Sequence, residues 1–212
     1  LLKGVLVTWF LYLLGRARRQ SEGSAALVAV GAGTIWLLMP LLASSSLLIV
    51  QRMTTLSALF ALAGAVAYMY ARERAERSPT LAMIGMTLAL VIGGTLSALA
   101  KENGILLPLF ILAVEFVLLE RPSNLRKRTW NIWSGVVLVA PLAIVLLYVA
   151  AALANPDPIL LRRQFTGFER LITQAEILWK YLYLAFLPNV PSLGPFHDDY
   201  TVQRSVLNSV TL

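Results

Sequence analysis

The chain has 212 residues, of which 58% are hydrophobic and only 14% are charged, and its mean hydropathy is +0.73. A soluble domain carries about 25% charged residues, so this chain could not cover an apolar core with polar surface. An ordinary soluble globule, a disordered chain, a coiled coil and a nucleic-acid-binding tail are therefore excluded, despite a formal net charge of +7. The absence of cysteines excludes disulfides and cysteine-based metal or redox sites. The class that remains is an integral membrane protein.

Apolar stretches of near-membrane length recur along the chain and predict an all-α, polytopic transmembrane helical bundle. A membrane helix needs about 20 mostly apolar residues. Six spans are predicted, at about 1–15, 25–39, 53–71, 80–100, 104–119 and 132–154. Pro40 ends the second span, because a proline disfavours helix in the residue before it. Pro141 predicts a kink in the sixth span.

Basic residues concentrate in alternate connections between the predicted spans. Three short loops hold ten of the eighteen lysines and arginines, namely Arg16, Arg18, Arg19, Arg72, Arg74, Arg77, Arg121, Arg126, Lys127 and Arg128. The positive-inside rule predicts that these loops are cytoplasmic. The connections at about 40–52, 101–103 and 155–204 then face outward. We interpret the arginine runs as topology signals and not as a nucleic-acid-binding patch.

The outward segment 155–204 is the least apolar part of the chain. Thr166, followed three residues later by Glu169, is typical of a capping box that opens a helix. Apolar residues then recur at helical spacing almost to Pro188. We expect an amphipathic helix that lies in the outer interface. A seventh span at about 168–187 is the weaker alternative, because it would bring four charged side chains to or into the bilayer.

Three polar clusters fall on the predicted outer side although they are distant in sequence. They are Gln51-Arg52, Lys101-Glu102-Asn103 and His197-Asp198-Asp199. Ionisable groups at membrane depth are costly and usually have a task. The structural alternatives are that Arg52 extends to the headgroups and that the other two clusters are solvated turns. Glu115, inside the fifth span, is expected to extend to the interface or to pair with a neighbouring helix.

A lipid-linked phosphate donor used at the outer face would need the groups that these clusters supply. Arg52, Lys101 and Arg170 could hold a phosphate at the interface. A second set could accept a proton or bind a divalent metal, namely Glu102, His197, Asp198 and Asp199. A transporter would instead place polar groups near the bilayer midplane, in interrupted helices. The pattern therefore favours interfacial chemistry over transport.

Three segments resemble a known family. They are Val50-Gln51-Arg52-Met53-Thr54-Thr55-Leu56, then Ser97-Ala98-Leu99-Ala100-Lys101-Glu102-Asn103-Gly104, and Glu169-Arg170-Leu171-Ile172-Thr173-Gln174 continuing to Gly194-Pro195-Phe196-His197-Asp198-Asp199. Together they resemble the membrane part of bacterial proteins related to the transmembrane and tetratricopeptide-repeat O-mannosyltransferases, in the GT-C superfamily of glycosyltransferases. The resemblance extends from about the second span to Arg204. It fails at Met39, where a histidine is expected before the proline.

The resemblance implies sugar transfer from a polyprenyl-phosphate donor to an acceptor hydroxyl, on the outer face of the bacterial inner membrane. The acceptor would be a protein Ser or Thr or a glycan, the other partners would be membrane lipids, and no nucleic acid is implied. Donor phosphate and sugar would contact a first set of residues, Gln51, Arg52, Lys101, Asn103, Arg170 and His197. Catalytic candidates are Glu102, Asp198 and Asp199. A divalent metal is left open.

The same resemblance predicts that functional parts lie outside this sequence. The family places an essential acid in an outer loop that would precede Leu1, and its tetratricopeptide repeats would follow Leu212. Leu1 also lies inside an apolar run without an initiator Met. We therefore expect an internal fragment of a larger protein that is inactive alone. A transporter or flippase, and a non-catalytic membrane scaffold, are the alternatives.

Overall fold

The computed structural model describes residues 1–39, 52–154 and 166–187, and every secondary-structure element in these ranges is helical. The chain divides into two units, Leu1–Leu38 with Ile49–Ala143 and Met39–Leu48 with Ile144–Leu212, which are described separately. The helices are α1 (Leu2–Ala17), α2 (Glu22–Leu38), α3 (Arg52–Glu73), α4 (Pro79–Ala100), α5 (Leu107–Leu118), α6 (Lys127–Ser134), α7 (Ala140–Ala154) and α8 (Gly167–Phe186).

Three of the described helical stretches are long and apolar enough to cross a membrane. They are Arg52–Glu76, Pro79–Ala100 and Lys127–Ala151, which correspond to the third, fourth and sixth predicted spans. A helix of 22 residues reaches about 33 Å, and the hydrocarbon core is about 30 Å thick. The other predicted spans are shorter helices, with 16 residues in α1, 17 in α2 and 12 in α5. The helical class and an association with membranes are thus supported, whereas the count of six spans is not confirmed.

The first unit places apolar side chains outside and several polar ones inside. Large exposed residues include Leu27, Leu99 and Val117, each more than three-quarters exposed. Buried polar side chains are Ser57, Arg72, Ser97, Glu115 and Ser134. This distribution suits a hydrocarbon solvent, in which apolar side chains can face lipid while polar groups must find partners inside the protein.

The first unit has two ends that differ in charge. Arg16 of α1 lies 3.9 Å from Glu73 at the end of α3, and Leu37 of α2 packs against Gly4 of α1. The helices α1 and α3 therefore run parallel, and α2 and α4 run antiparallel to them. We call the end that carries the turn at Lys101 the lysine end. The opposite end, which carries the basic loops after α1, α3 and α5, is the arginine end.

The backbones of α3 and α4 approach closely at two glycines. A Cβ atom added to Gly93 would lie 2.6 Å from the Cα atom of Gly64. Small residues allow such contact between membrane helices, because dispersion contacts replace the hydrophobic effect there. The next residue, Gly94, has no atom within 4 Å of an added Cβ. Close packing therefore depends on Gly93 and not on its neighbour.

The fifth predicted span is divided into two helical types. A 3-10 segment, Glu102–Leu106, follows α4 almost at once and leads directly into α5. The 12 residues of α5 extend only about 18 Å, less than the membrane core. Pro108 lies in the first turn of α5, where its missing N–H leaves no carbonyl without a partner.

The sixth predicted span contains an irregular helical segment just before Pro141. A π-helical segment, Gly135–Val139, separates α6 from α7 without ending the helix. The ring of a proline collides with the carbonyl four residues earlier, which here belongs to Val137 inside the π segment. The wider π turn accommodates this collision.

In the second unit, α8 begins with the predicted capping box. The Thr166 hydroxyl accepts a hydrogen bond from the Glu169 N–H at 3.2 Å, and the Glu169 carboxylate accepts one from the Thr166 N–H at 2.7 Å. The helix ends at Phe186, before Pro188. It is not among the membrane-length apolar helices, yet Phe168, Trp179 and other large apolar side chains are exposed, as the predicted interfacial helix requires.

Candidate functional site

The candidate site is the turn between α4 and α5 at the lysine end. Lys101 has extended backbone angles, φ −161° and ψ 142°, which end α4 and reverse the chain. Its N–H donates to the Ser97 carbonyl at 2.9 Å, and its own carbonyl accepts from the Gly104 N–H at 2.9 Å. The tight turn predicted at residues 101–103 is confirmed.

Gly104 fixes this turn against the last turn of α4. A Cβ atom at this position would lie 2.2 Å from the Ser97 carbonyl carbon and 2.3 Å from the Ala98 nitrogen. Those atoms belong to a helical backbone, which cannot move aside as a flexible side chain can. Only glycine therefore permits the 3-10 segment to pack here, and this contact determines where the Lys101 side chain starts.

Two buried serines bind α4 to α3 beneath the turn. The Ser97 hydroxyl donates to the Ser57 carbonyl at 2.8 Å, and the two hydroxyl oxygens are 2.9 Å apart. Since the single Ser97 proton is used on the carbonyl, the Ser57 hydroxyl is the donor in the second bond. Both polar groups are thus satisfied in an apolar surrounding, which requires this helix register.

The Lys101 side chain extends to the start of α3. Its Nζ donates to the Thr54 hydroxyl at 2.7 Å in a partly buried position. Thr54 lies two residues after Arg52, the first residue of α3. Within the described ranges, Lys101 forms no ion pair, because its partner is a neutral hydroxyl. The turn therefore holds an ammonium group in place without neutralising its charge.

The structure brings part of the predicted set to one place. Arg52, Lys101, Glu102 and Asn103 all lie at the lysine end, and all except the half-buried Lys101 are exposed. Arg170 is exposed on α8 in the second unit. Other predicted members, Gln51, His197, Asp198 and Asp199, lie outside the described residues. Among the residues that are described, no three His, Cys, Asp or Glu side chains form a group that could hold a metal ion.

A buried ionic network near the arginine end was not predicted as a unit. The Glu115 carboxylate accepts from Arg72 Nε at 2.6 Å, from an Arg72 terminal nitrogen at 3.0 Å and from the Tyr68 hydroxyl at 2.8 Å. Arg72 also donates to the Glu120 carbonyl at 2.6 Å. Of the two alternatives expected for Glu115, extension to the interface or pairing with a neighbouring helix, the structure shows the pairing.

The assignment of Arg72 to a basic loop was wrong. The helix α3 continues to Glu73, and Arg72 is only 8% exposed. Tyr68 and Arg72 are four residues apart and so lie on the same face of a helix. This spacing, together with a carboxylate inside an apolar span, is the signal that could have identified the pair.

Comparison with known proteins adds no assignment. No protein-family model matches the chain, and no match was found among curated proteins or solved structures. The function is therefore argued from the geometry of the site and from the resemblance of the three sequence segments.

Proposed function

We propose that the chain is the membrane part of a glycosyltransferase that uses a polyprenyl-phosphate sugar at the outer face of the bacterial inner membrane. The observation that carries this proposal is the Lys101 ammonium, which donates to Thr54, two residues after Arg52, and has no carboxylate partner among the described residues. A lipid phosphate at the membrane interface requires such cations, because its charge must be balanced where water is scarce.

The proposed chemistry divides the site into two roles. The acceptor hydroxyl attacks the anomeric carbon, the bond from that carbon to the phosphate oxygen breaks, and polyprenyl phosphate leaves with the electron pair. Lys101 and Arg52 would stabilise the negative charge that develops on the departing phosphate. A carboxylate would take the acceptor proton. The candidates are Glu102, Asp198, Asp199 or an acid that the resemblance places before Leu1.

Donor binding provides a test that does not require catalytic activity. The chain in nanodiscs is titrated with polyprenyl phosphate and the complex is counted by native mass spectrometry. Lys101→Ala should lower the affinity at least tenfold, since one charge-assisted contact contributes about that factor. Lys101→Arg should keep most of the affinity.

The matched control removes the same charge from the same end. Lys3→Ala lies at the start of α1, at the lysine end but outside the turn, and should leave the affinity within about twofold. Equal losses in Lys101→Ala and Lys3→Ala would mean that the lipid senses only overall charge, and the site assignment would then fail. Unchanged binding in both would favour the scaffold alternative.

Sidedness is tested by labelling, which the absence of cysteines makes simple. Asn103→Cys should react with a membrane-impermeant maleimide added outside, whereas Arg128→Cys, at the arginine end, should react only after the cytoplasmic side is opened. Labelling of Asn103→Cys only from the cytoplasm would contradict chemistry on the outer face.

A further inference from the structure

The three basic loops meet around one cleft at the arginine end. The cleft encloses about 800 Å³ and is lined by residues from the ends of α1, α3 and α5. That volume lies within the range of about 300–1,000 Å³ that is typical of ligand sites. Topology signals need only lie on one side of the membrane, so their convergence around one cleft is not explained by sidedness.

The cleft carries an excess of positive charge. Its lining includes seven arginines, at positions 16, 18, 19, 72, 74, 77 and 121, and three glutamates, at positions 73, 76 and 120. Among the described residues, two of the seven arginines form ion pairs. Arg16 pairs with Glu22 and Glu73, and Arg72 pairs with Glu115. Five arginines therefore have no carboxylate within 4.0 Å in the described part of the chain.

Some of these arginines are held in place by uncharged groups. Arg74 donates to the Tyr70 hydroxyl at 2.7 Å, and its guanidinium lies 4.1 Å from the centre of that ring. Arg121 donates to the Leu125 carbonyl. Arg18 and Arg77 are exposed, and their side chains make no hydrogen bond within the described ranges. The lining thus combines positioned guanidinium groups with others that are free to bind.

Arg19 occupies a backbone position that normally selects glycine. Its φ is +59°, and the Arg19 N–H donates to Arg16 while the Gln20 N–H donates to Gly15, at 2.9 and 3.1 Å. This is the Schellman arrangement, in which the left-handed residue is usually glycine because a Cβ atom adds strain. A charged side chain is present where glycine would be more stable, and it lines the cleft.

We propose that this cleft binds a phosphate-bearing anion. Guanidinium groups present planar pairs of N–H donors that match two phosphate oxygens, and seven of them line this cleft against three glutamates. Basic pockets between membrane helices bind phosphate headgroups by this chemistry. The anion is either the headgroup of an acidic phospholipid or a soluble phosphate. The cleft is at the opposite end from the Lys101 turn, so the proposal does not depend on the proposed function.

The test measures retention of anionic lipid by the full chain. Nanodiscs of phosphatidylcholine with one-fifth phosphatidylglycerol are dissociated, and the lipids that stay on the protein are counted by native mass spectrometry. The double variant Arg18→Gln with Arg77→Gln removes two exposed cations and should lower retained phosphatidylglycerol about tenfold. The matched control is Arg126→Gln with Arg128→Gln, which removes two exposed arginines of the same end outside the cleft. It should change retention less than twofold.

A second arm identifies the source of the phosphate. In nanodiscs of phosphatidylcholine alone, inorganic pyrophosphate is titrated against the wild type and both double variants. Binding that only the Arg18/Arg77 variant loses, together with weak retention of phosphatidylglycerol, identifies a soluble phosphate. Selective loss in the lipid arm identifies a headgroup. Equal losses in the two double variants, or no binding in either arm, would overturn the proposal.

Arg19→Gly keeps the test valid if the double variant folds poorly. Glycine suits the left-handed backbone, so the melting temperature should stay the same or rise while anion binding falls several-fold. A variant that is at least as stable and binds the anion as well as the wild type would also contradict the proposal.

Discussion

The two ends of the first unit hold their charged side chains in place by different interactions. At the lysine end, one ammonium group is fixed by Thr54, and the turn that carries it is fixed by the steric fit of Gly104. At the arginine end, a buried ion pair between Arg72 and Glu115 joins α3 to α5, and further arginines surround an open cleft. Close backbone packing therefore determines the structure of the lysine end, and the balance of charges determines that of the arginine end.

This difference predicts different sensitivities. The packing of a turn built on glycine contact should tolerate changes of salt but not an added methyl group. A site built on exposed guanidinium groups should tolerate changes of volume but lose its ligand as salt rises, because exposed charges are screened over about 8–10 Å at physiological ionic strength. Four substitutions test this contrast, beginning with the largest expected effect.

Glu115→Ala should be the most destabilising change, at about 3–5 kcal/mol, because it leaves Arg72 buried without its partner. The Tyr68 hydroxyl would lose its acceptor as well. The free energy of unfolding is measured in mixed micelles by titration with a denaturing detergent. The matched control is Glu22→Ala, which breaks the exposed pair with Arg16 and should cost less than about 1 kcal/mol.

Replacing all three residues of the buried network shows whether the loss of stability comes from an unpaired buried charge or from lost packing. The triple variant Tyr68→Phe, Arg72→Met, Glu115→Leu should recover most of the stability, because apolar groups of similar volume often replace a buried ion pair without loss. A triple variant as unstable as Glu115→Ala would show that the network itself determines the packing of α3 on α5.

Gly104→Ala tests the steric side of the contrast at the lysine end. The added methyl group would meet backbone atoms at 2.2 and 2.3 Å and the Ser97 hydroxyl at 2.4 Å, so we expect a loss of about 1–3 kcal/mol or more. Gly94→Ala is the control, since it adds a methyl group in open space and should stabilise the helix by about 0.5–1 kcal/mol. Thermal unfolding of both variants measures the difference, and two equal shifts would contradict the steric account.

Thr54→Val should have a smaller effect, which appears mainly in ligand binding. It removes the acceptor that positions Lys101, and hydrogen bonds between membrane helices contribute about 0.6 kcal/mol on average. Affinity for polyprenyl phosphate should then fall about threefold. Thr55→Val, on the adjacent residue, changes the same atoms and should leave the affinity unchanged. A loss shared by both variants would indicate a general effect on the start of α3.

The helices could be predicted closely because the signal is local. The fourth span was expected at 80–100 and is Pro79–Ala100, and the third was expected at 53–71 and is Arg52–Glu73. Long apolar runs that end in Pro, Lys or Arg determine such boundaries within a few residues. The fifth span was less accurate, because its first turn is 3-10 and depends on the contact of Gly104 with α4.

For the candidate site, the sequence could predict which residues lie at the end of each helix, but not the contacts between helices. Lys101 and Arg52 were expected at one end from the alternation of spans, but the Thr54 hydroxyl that holds Lys101 is 47 residues away and carries no sequence signal. Arg72 was misassigned because a charge at the end of a span resembles a loop charge until its partner, 43 residues later, is located. The pairing of distant helices determines both contacts.

Arg19→Gly should have the smallest effect on the free energy of unfolding. Of the four substitutions, it is the one expected to stabilise the protein. Glycine removes the strain of the left-handed residue at φ +59°, worth about 1 kcal/mol. Because glycine also loosens the unfolded chain, at a cost of about 0.5–1 kcal/mol, the net gain is at most about 0.5 kcal/mol. Arg18→Gly is the matched control, because Arg18 has φ −84° and glycine there should only destabilise, by about 0.5–1 kcal/mol. Both variants remove one cation from the same cleft. Anion binding should therefore fall in both, while the free energies of unfolding move in opposite directions. If the free energies of unfolding of both variants changed in the same direction, backbone strain at Arg19 would not explain the difference between the two positions.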